Sequence, residues 1–301
     1  MSTLLCFGLG YSAEHFVGMF GDGFDRMIGT VRGTERATVL NAHLAGRLTL
    51  LVFDGSFATP EVKMAIGAAE LALVSIPPDE NGDPVLAAFG DALVHARQLR
   101  SIVYLSTVGV YGDHGGAWVD EDTPPRPASA RSRARLAAEA AWQKLGARSG
   151  AAVAILRLAG IYGPGQNALV QVARGTARRI VRPGQVFNRI HVEDIAQTVA
   201  AAIFQERQEP GTRLFNLADD EPAPPQDVLL YAAELIGAPP PPEIPFESAA
   251  LPAMAASFYA GNKRIRNDKI KRELGIALRY PTYREGLRAL LEDETGDSAA
   301  K

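Results

Sequence analysis

Short, uninterrupted runs of apolar residues recur through the first half of the chain, and each is followed by a segment of mixed polar and apolar residues. Such runs are typical of strands that helices cover on both faces of a sheet. They predict strands at Leu4–Phe7, Arg26–Val31, Leu48–Phe53, Leu71–Ser75, Ser101–Ser106 and Val153–Leu158, with an edge strand at Arg213–Leu217. Because strand and helix patterns alternate, the predicted fold class is α/β with a doubly wound parallel sheet.

The mixed segments predict helices at Pro84–Leu99, Ala130–Leu145, Gln226–Ile236 and Tyr283–Leu291, with a short strand or turn at Leu278–Pro281. Beyond about residue 160, glycine and proline interrupt the chain more often. We therefore predict a sheet domain over residues 1–162, with a return segment at about 191–221. Residues 163–190 and 222–292 are expected to form a smaller, discontinuous C-terminal α/β lobe, and residues 293–301 a flexible polar tail.

Composition narrows the class of protein. Hydrophobic residues make up 47% of the 301 residues and the net charge is −3, which is typical of a globular chain without a nucleic-acid or membrane surface. The single cysteine, Cys6, excludes a disulfide within the chain, and the five histidines are too dispersed to predict a metal site. No apolar stretch approaches the roughly 20 residues of a membrane span, and the N-terminus lacks signal-peptide features, so we expect a cytoplasmic protein.

The first strand runs directly into a glycine-rich turn of the form G-x-G-x-x-A, with Gly8, Gly10, Tyr11, Ser12 and Ala13. In a dinucleotide-binding βαβ unit the first glycine permits the tight turn and the second lets the backbone approach a pyrophosphate. The alanine then lets the helix lie close to the sheet, and the pyrophosphate sits on the helix N-terminus. These residues predict a Rossmann site for NAD or NADP.

The second strand ends at Arg32, twenty-two residues after Gly10, where an NAD site usually has an acidic residue. A guanidinium cannot accept a bond from a ribose hydroxyl, but it can grip a 2′-phosphate, and Arg36 is near enough to assist. NADP is therefore predicted over NAD. Asp54 after the third strand is a candidate for the adenine amino group, and Ser75 after the fourth for the ribose and pyrophosphate.

Four further motifs follow in order: Ser106-Thr107 with Val110-Tyr111-Gly112, Glu121–Pro124, Arg157–Gly165 and Asn188–Ala196. With them the chain resembles an extended-like short-chain dehydrogenase/reductase of the NAD(P)-dependent epimerase/dehydratase family. It looks most like an atypical subgroup that has G-x-G-x-x-A at the first turn and ends in a segment like Gly261–Asn267. The resemblance covers about 285 residues and implies that the C-terminal lobe binds the substrate.

The resemblance also implies a catalytic Ser/Thr, a Tyr that exchanges a proton, and a Lys four residues later that lowers the Tyr pKa and holds the nicotinamide ribose. Thr107 matches the Ser/Thr, and Arg135 takes the lysine position. Arg131 stands where the tyrosine belongs. A guanidinium stays protonated, so Arg131 cannot exchange a proton as a phenol does, although Arg131 and Arg135 together could hold an anion.

Three interpretations of the missing tyrosine stay open. Another donor replaces it, with Tyr111, Ser132 or a water at Arg131 as candidates; or the reaction needs no donor there; or the chain binds NADP(H) as a sensor without catalysis. We expect an NADP-dependent oxidoreductase or epimerase-like enzyme acting on a sugar nucleotide or small carbonyl compound. His191 and Asp194 are expected to be structural, and Asn188 and Arg189 to face the substrate. The helices Pro84–Leu99 and Ala130–Leu145 could form a four-helix homodimer interface, as is common in that family.

Overall fold

The computed structural model describes residues 2–43, 48–204 and 211–299. The strands are β1 Thr3–Phe7, β2 Arg26–Val31, β3 Thr49–Val52, β4 Leu71–Val74, β5 Ser101–Thr107, β6 Trp118–Val119, β7 Ala152–Leu158, β8 Gly160–Tyr162, β9 Arg179–Val181, β10 Arg189–His191, β11 Gly211–Leu217, β12 Glu243–Pro245 and β13 Arg264–Ile265. The α-helices are α1 Tyr11–Phe20, α2 Thr34–His43, α3 Pro60–Ala68, α4 Pro84–Val94, α5 Ala130–Ser149, α6 Ala168–Ala173, α7 Val192–Phe204, α8 Pro225–Leu235, α9 Ala253–Tyr259, α10 Asp268–Leu274 and α11 Tyr283–Ala299.

Seven strands form one sheet in the order β11-β7-β5-β4-β1-β2-β3, and every neighbouring pair is parallel. The chain reverses its direction of travel across the sheet after β3, so a crevice opens between the carboxyl ends of β1 and β4. Open α/β sheets bind ligands at such a switch point. The predicted doubly wound parallel sheet is confirmed, and β11 is the predicted edge strand.

The sheet has an apolar layer on each face because successive side chains of a strand point in opposite directions. Leu4 and Cys6 of β1 belong to the cluster that α1 and α7 cover, whereas Leu5 and Phe7 belong to the cluster that α3, α4 and α5 cover. Burial raises the pKa of the Cys6 thiol to about 12. Cys6 is therefore a small core residue and not a nucleophile.

A third apolar cluster lies outside the sheet and joins α6, α8 and α11, and its members include Tyr162, Leu169, Val228, Tyr283 and Leu287. The paired strands β9 and β12 and the paired strands β8 and β10 also lie outside the large sheet. Tyr162 brings the end of β8 into this cluster, and Arg189 of β10 lies over the Tyr283 ring. These elements form the small lobe beside the carboxyl ends of β5 and β7.

The segment 278–281 was expected to be a short strand or a turn. Residues 279–281 form bends and no strand, and the backbone amides of Arg279 and Tyr280 bind the Asp194 carboxylate. Two other details differ from the sequence-based expectations. The predicted helix Pro84–Leu99 ends at Val94. The last helix continues through Asp293 to Ala299, so the expected tail is helical over the residues described, and residues 300–301 lie outside them.

No helix in the described parts of the chain combines the length and the apolar composition that a membrane span requires. The proposed homodimer through α4 and α5 stays a prediction.

Candidate active site

The first turn combines one crowded glycine with one open glycine. Gly8 has a φ of +86°, and a Cβ there would lie 2.7 Å from Ile76 Cγ1 and 2.9 Å from Ser75 Oγ. Its amide donates to Thr30 Oγ1 at 2.9 Å, which holds β1 against β2 at the turn. Gly10 is different, because a Cβ there would meet nothing within 4 Å. The backbone at Gly10 therefore faces free space.

Helix α1 begins directly after Gly10, and no side chain caps it. Its first-turn amides are therefore available to an anion. Ser12 and Ala13 are buried, and Ala13 packs in the cluster between α1 and the sheet. The Tyr11 hydroxyl donates to the carbonyl of Pro164 at 3.0 Å, so this side chain reaches from the turn to the loop after β8.

Arg32 follows β2 directly, and its side chain is exposed. Among the described residues, no hydrogen bond or ion pair engages its guanidinium. Arg36, by contrast, forms an ion pair with Glu14 of α1. The structure thus leaves Arg32 free at the position predicted for a 2′-phosphate and gives Arg36 a protein partner.

The two remaining cofactor candidates have local hydrogen bonds. The exposed Asp54 accepts a bond from the amide of Ser56 at 2.8 Å. The Ser75 hydroxyl donates to the carbonyl of Gly8 at 2.8 Å. Ser75 thereby ties the end of β4 to the first turn, a structural role that was not predicted for it.

A cavity of about 620 Å³ lies between the carboxyl end of β5, the start of α5 and the small lobe. Thr107, Arg131 and Arg135 all line it. The Thr107 Oγ1 accepts a bond from the Gly109 amide at 3.1 Å and so caps the 3-10 turn Val108–Tyr111. Its own hydroxyl proton stays available for a ligand.

The two arginines that replace Tyr and Lys have different surroundings. Arg135 is buried, and its Nη1 donates to the Tyr104 hydroxyl at 3.1 Å and to the carbonyl of Leu105 at 2.9 Å. These bonds hold the guanidinium against β5. Arg131 lies one helical turn earlier on α5 and is exposed. One arginine is therefore fixed by the sheet, while the other can adapt to a ligand.

Tyr111 does not line this cavity, so its candidacy as the replacement proton donor is wrong. It is fully buried, its hydroxyl donates to Asn216 Oδ1 at 2.8 Å, and the Arg157 guanidinium lies 4.7 Å from the ring centre. Burial raises the pKa of Tyr111. The side chain is part of the core beneath the 3-10 turn, where a substrate cannot reach it.

Sequence reasoning missed a buried ionic cluster below the cavity. Glu139 of α5 accepts bonds from Arg157 Nε at 3.1 Å and Nη2 at 2.7 Å, and Ser106 donates to the same carboxylate at 2.5 Å. All three side chains are buried. The cluster joins β5, α5 and β7, the three elements that position Thr107 and Arg135.

His191 and Asp194 have the structural roles that were expected. The buried His191 ring lies between Tyr162 and Tyr280, with centroid distances of 5.1 and 4.0 Å, and burial lowers its pKa to about 3. Asp194 accepts bonds from two backbone amides of the 278–281 segment. Arg189 and Asn188 both line the cavity, and Asn188 also donates to the carbonyl of Lys263 at 2.9 Å.

Sequence reasoning also missed two basic side chains of this cavity, Arg178 and Lys263. The described lining contains no acidic side chain, but it contains five basic ones: Arg131, Arg135, Arg178, Arg189 and Lys263. Apolar and aromatic residues line the same lobe side, including Val228, Leu229, Phe258, Tyr259 and Leu287. No local motif brings these residues together, since they come from separate segments of the chain. The cavity fits an anion with an apolar body.

Comparison with known proteins agrees with this architecture. The model of the NAD dependent epimerase/dehydratase family matches residues 90–218. A solved structure of a functionally unknown conserved protein from Silicibacter pomeroyi is 47% identical, with a TM-score of 0.86 over 97% of this chain and 99% of that chain. The family model thus matches the middle of this chain, from within α4 to the end of β11.

Two other similar proteins differ more from this chain. The dTDP-glucose 4,6-dehydratase of Bacillus anthracis, solved with NAD, has a TM-score of 0.76 at 16% identity over 97% of each chain, which shows the shared fold. The "3-diazoavenalumate denitrifying reductase" of a Streptomyces species is 30% identical over 207 residues. That match spans 62% of this chain and 64% of the reductase, so the chain spans less than two thirds of this curated relative.

Proposed function

We propose that the chain is an NADP-dependent reductase whose substrate is a small organic anion with a carbonyl or similarly electrophilic group. The observation that carries the proposal is the cavity at the carboxyl end of β5, which is lined by Thr107 and by five basic side chains, Arg135 among them, but by no acidic side chain of the described residues. A cavity of this charge attracts an anion and repels a cation.

The first turn fits a dinucleotide. The space at Gly10 and the uncapped start of α1 would hold the pyrophosphate, and Arg135 would lie toward the nicotinamide ribose. When bound, the reduced nicotinamide supplies a hydride. The chain's own residues would orient the acceptor, with the Thr107 hydroxyl at its oxygen and Arg131 at its negative charge.

The preference for NADP rests on Arg32. Its exposed guanidinium has no described protein partner, and the residues that follow it at the start of α2 are Gly33 and Thr34. A guanidinium at this position suits a 2′-phosphate, and no carboxylate ends β2 to accept from a 2′-hydroxyl.

The similarity to a reductase supports reduction over epimerisation. The name of that Streptomyces relative describes a substrate that is a carboxylate, which agrees with the basic lining of this cavity. An arginine in place of the usual tyrosine favours one alternative, a protein that binds NADP(H) without catalysis.

The test separates these functions. Calorimetry would measure NADPH and NADH binding, and mass spectrometry would follow deuterium from 4R- and 4S-deuterated NADPH into aryl carboxylates that carry an aldehyde, ketone or diazonium group. We expect micromolar NADPH binding and stereospecific transfer to at least one probe. Binding without transfer to any probe would instead support the sensor.

A further inference from the structure

We propose that Lys263 donates the proton that the missing tyrosine would otherwise supply, delivering it to the oxygen of the bound carbonyl substrate. The inference rests on the proposed reductase function. Lys263 is far in sequence from Arg131 and Arg135, which occupy the positions of the usual tyrosine and lysine.

The ammonium group lies at the cavity wall beside the 3-10 turn that begins at Thr107. Lys263 Nζ donates to the carbonyl of Gly112 at 3.0 Å, and it is 3.6 Å from the position of a Cβ on Gly261. Both glycines line the cavity, as does Lys263. The Gly112 amide in turn binds the carbonyl of Gly109, whose own amide binds Thr107. One turn of backbone thus links the two groups proposed to contact the substrate oxygen.

The segment that carries Lys263 is held firmly. Asn188 donates to the carbonyl of Lys263 and accepts from the amide of Ile265 at 2.8 Å. The amide of Asn262 donates to Asp113 Oδ1 at 2.7 Å. A side chain on so well anchored a backbone can keep one direction toward the cavity.

Other titratable groups in the described lining are poorer donors. Arginine keeps its proton at any working pH. The Tyr162 hydroxyl donates to the carbonyl of Thr282, and burial raises the pKa of Tyr283 to about 12 and also raises that of Tyr259. Lys263 is the one primary amine in this lining.

The surroundings of Lys263 favour release of its proton. Burial lowers the pKa of the ammonium, and Asp113 opposes this from a distance. No carboxylate of the described residues lies within ion-pair distance of Nζ. Charged or titratable groups on the adjoining segments include Arg126, whose backbone lies against Gly112, and His114, whose ring binds the carbonyl of Tyr111. Arg182 and Arg264 donate to the carbonyls of Tyr259 and Gly116, respectively.

The step balances as a reduction. A bound dihydronicotinamide would supply two electrons as a hydride, which would form the new C–H bond as the C=O π bond breaks. The electron pair moves to oxygen, which takes the proton from Nζ, and the product is an alcohol. Lys263 is left as a neutral amine and regains a proton from water.

The first measurement needs no turnover. NMR titration of the lysine Nζ signals, assigned with Lys263→Arg, would compare Lys263 with the exposed Lys144 of α5. We expect the Lys263 midpoint to lie below that of Lys144, because burial disfavours the charged form. Titration of the two lysines together would overturn the inference.

The second measurement uses the best carbonyl probe. Lys263→Met and Lys263→Arg should each lower kcat for reduction about 100-fold or more while NADPH affinity changes little. The reduction rate of the wild type should fall tenfold per pH unit above the Lys263 midpoint. The Lys263→Arg variant should not show this decrease at high pH. Lys144→Met is the control and should match the wild type.

The outcomes separate the two proposals. If Lys263→Arg keeps the wild-type rate and pH profile, its charge alone matters and the donor role is wrong, although the reductase stands. If the wild type binds NADPH and reduces no probe, the reductase proposal fails and the donor role with it.

Discussion

The first turn and the cavity beyond β5 are two ends of one cleft, but the chain builds them in different ways. At the turn, Gly8 and Gly10 act through their own backbones, within three residues of each other. At the cavity, Thr107 and Arg135 come from two different elements, and Lys263 lies more than a hundred residues beyond both. The first end is a property of a short peptide, whereas the second exists only once the sheet and the lobe have folded together.

The largest expected effect concerns the cavity beyond β5, the end of the cleft that tertiary packing creates. Glu139→Leu leaves the buried Arg157 guanidinium without its carboxylate, and we expect a loss of about 3–5 kcal/mol in the free energy of unfolding. Urea denaturation would measure it. The double variant Glu139→Leu/Arg157→Met removes both charges and should recover most of the loss. If the single variant is as stable as the wild type, the cluster does not hold β5, α5 and β7 together.

The next largest effect is a difference in stability between substitutions at the two glycines of the first turn. Gly8→Ala forces a positive φ on alanine and a contact with Ile76, and should cost on the order of 3 kcal/mol of stability. Gly10→Ala meets open space and should leave the stability within about 0.5 kcal/mol. Thermal and urea unfolding of both variants would test this contrast.

Gly10→Ala should affect NADPH binding much more than it affects stability. Its added methyl group would occupy the space predicted for the pyrophosphate, so NADPH affinity should fall about tenfold or more, equivalent to 1.4 kcal/mol. Calorimetric titration of the folded variant measures it. Unchanged affinity would mean that the pyrophosphate does not approach the turn at Gly10.

The first turn could be predicted from the sequence more fully than the cavity beyond β5, because the turn is a short local segment and the cavity is not. The strands, their parallel order and the glycine turn were predictable because an apolar run and G-x-G-x-x-A are local signals. Arg131 and Arg135 were found through their spacing on one helix. Lys263 and the Glu139–Arg157 pair carry no such signal, because only tertiary packing brings their partners near. Tyr111 was misjudged for the same reason, since its burial depends on the distant Asn216.

A smaller and more selective effect is expected at Arg32. Arg32→Asp should weaken NADPH by about 2 kcal/mol and NADH by less, since only NADPH has a 2′-phosphate for the guanidinium. Arg26→Asp, at the exposed opposite end of β2, is the matched control and should change neither affinity. Equal losses for both cofactors in calorimetric titrations would remove the case for NADP.

The most direct test of the proposed function joins the two ends of the cleft in one experiment. The protein would be mixed in a single turnover with 4R- or 4S-deuterated NADPH and an aryl carboxylate that carries an aldehyde. We expect deuterium from one face only at the former aldehyde carbon, and less transfer in Gly10→Ala at the same subsaturating NADPH concentration. Tight NADPH binding with no deuterium in any product would contradict the proposed reductase function.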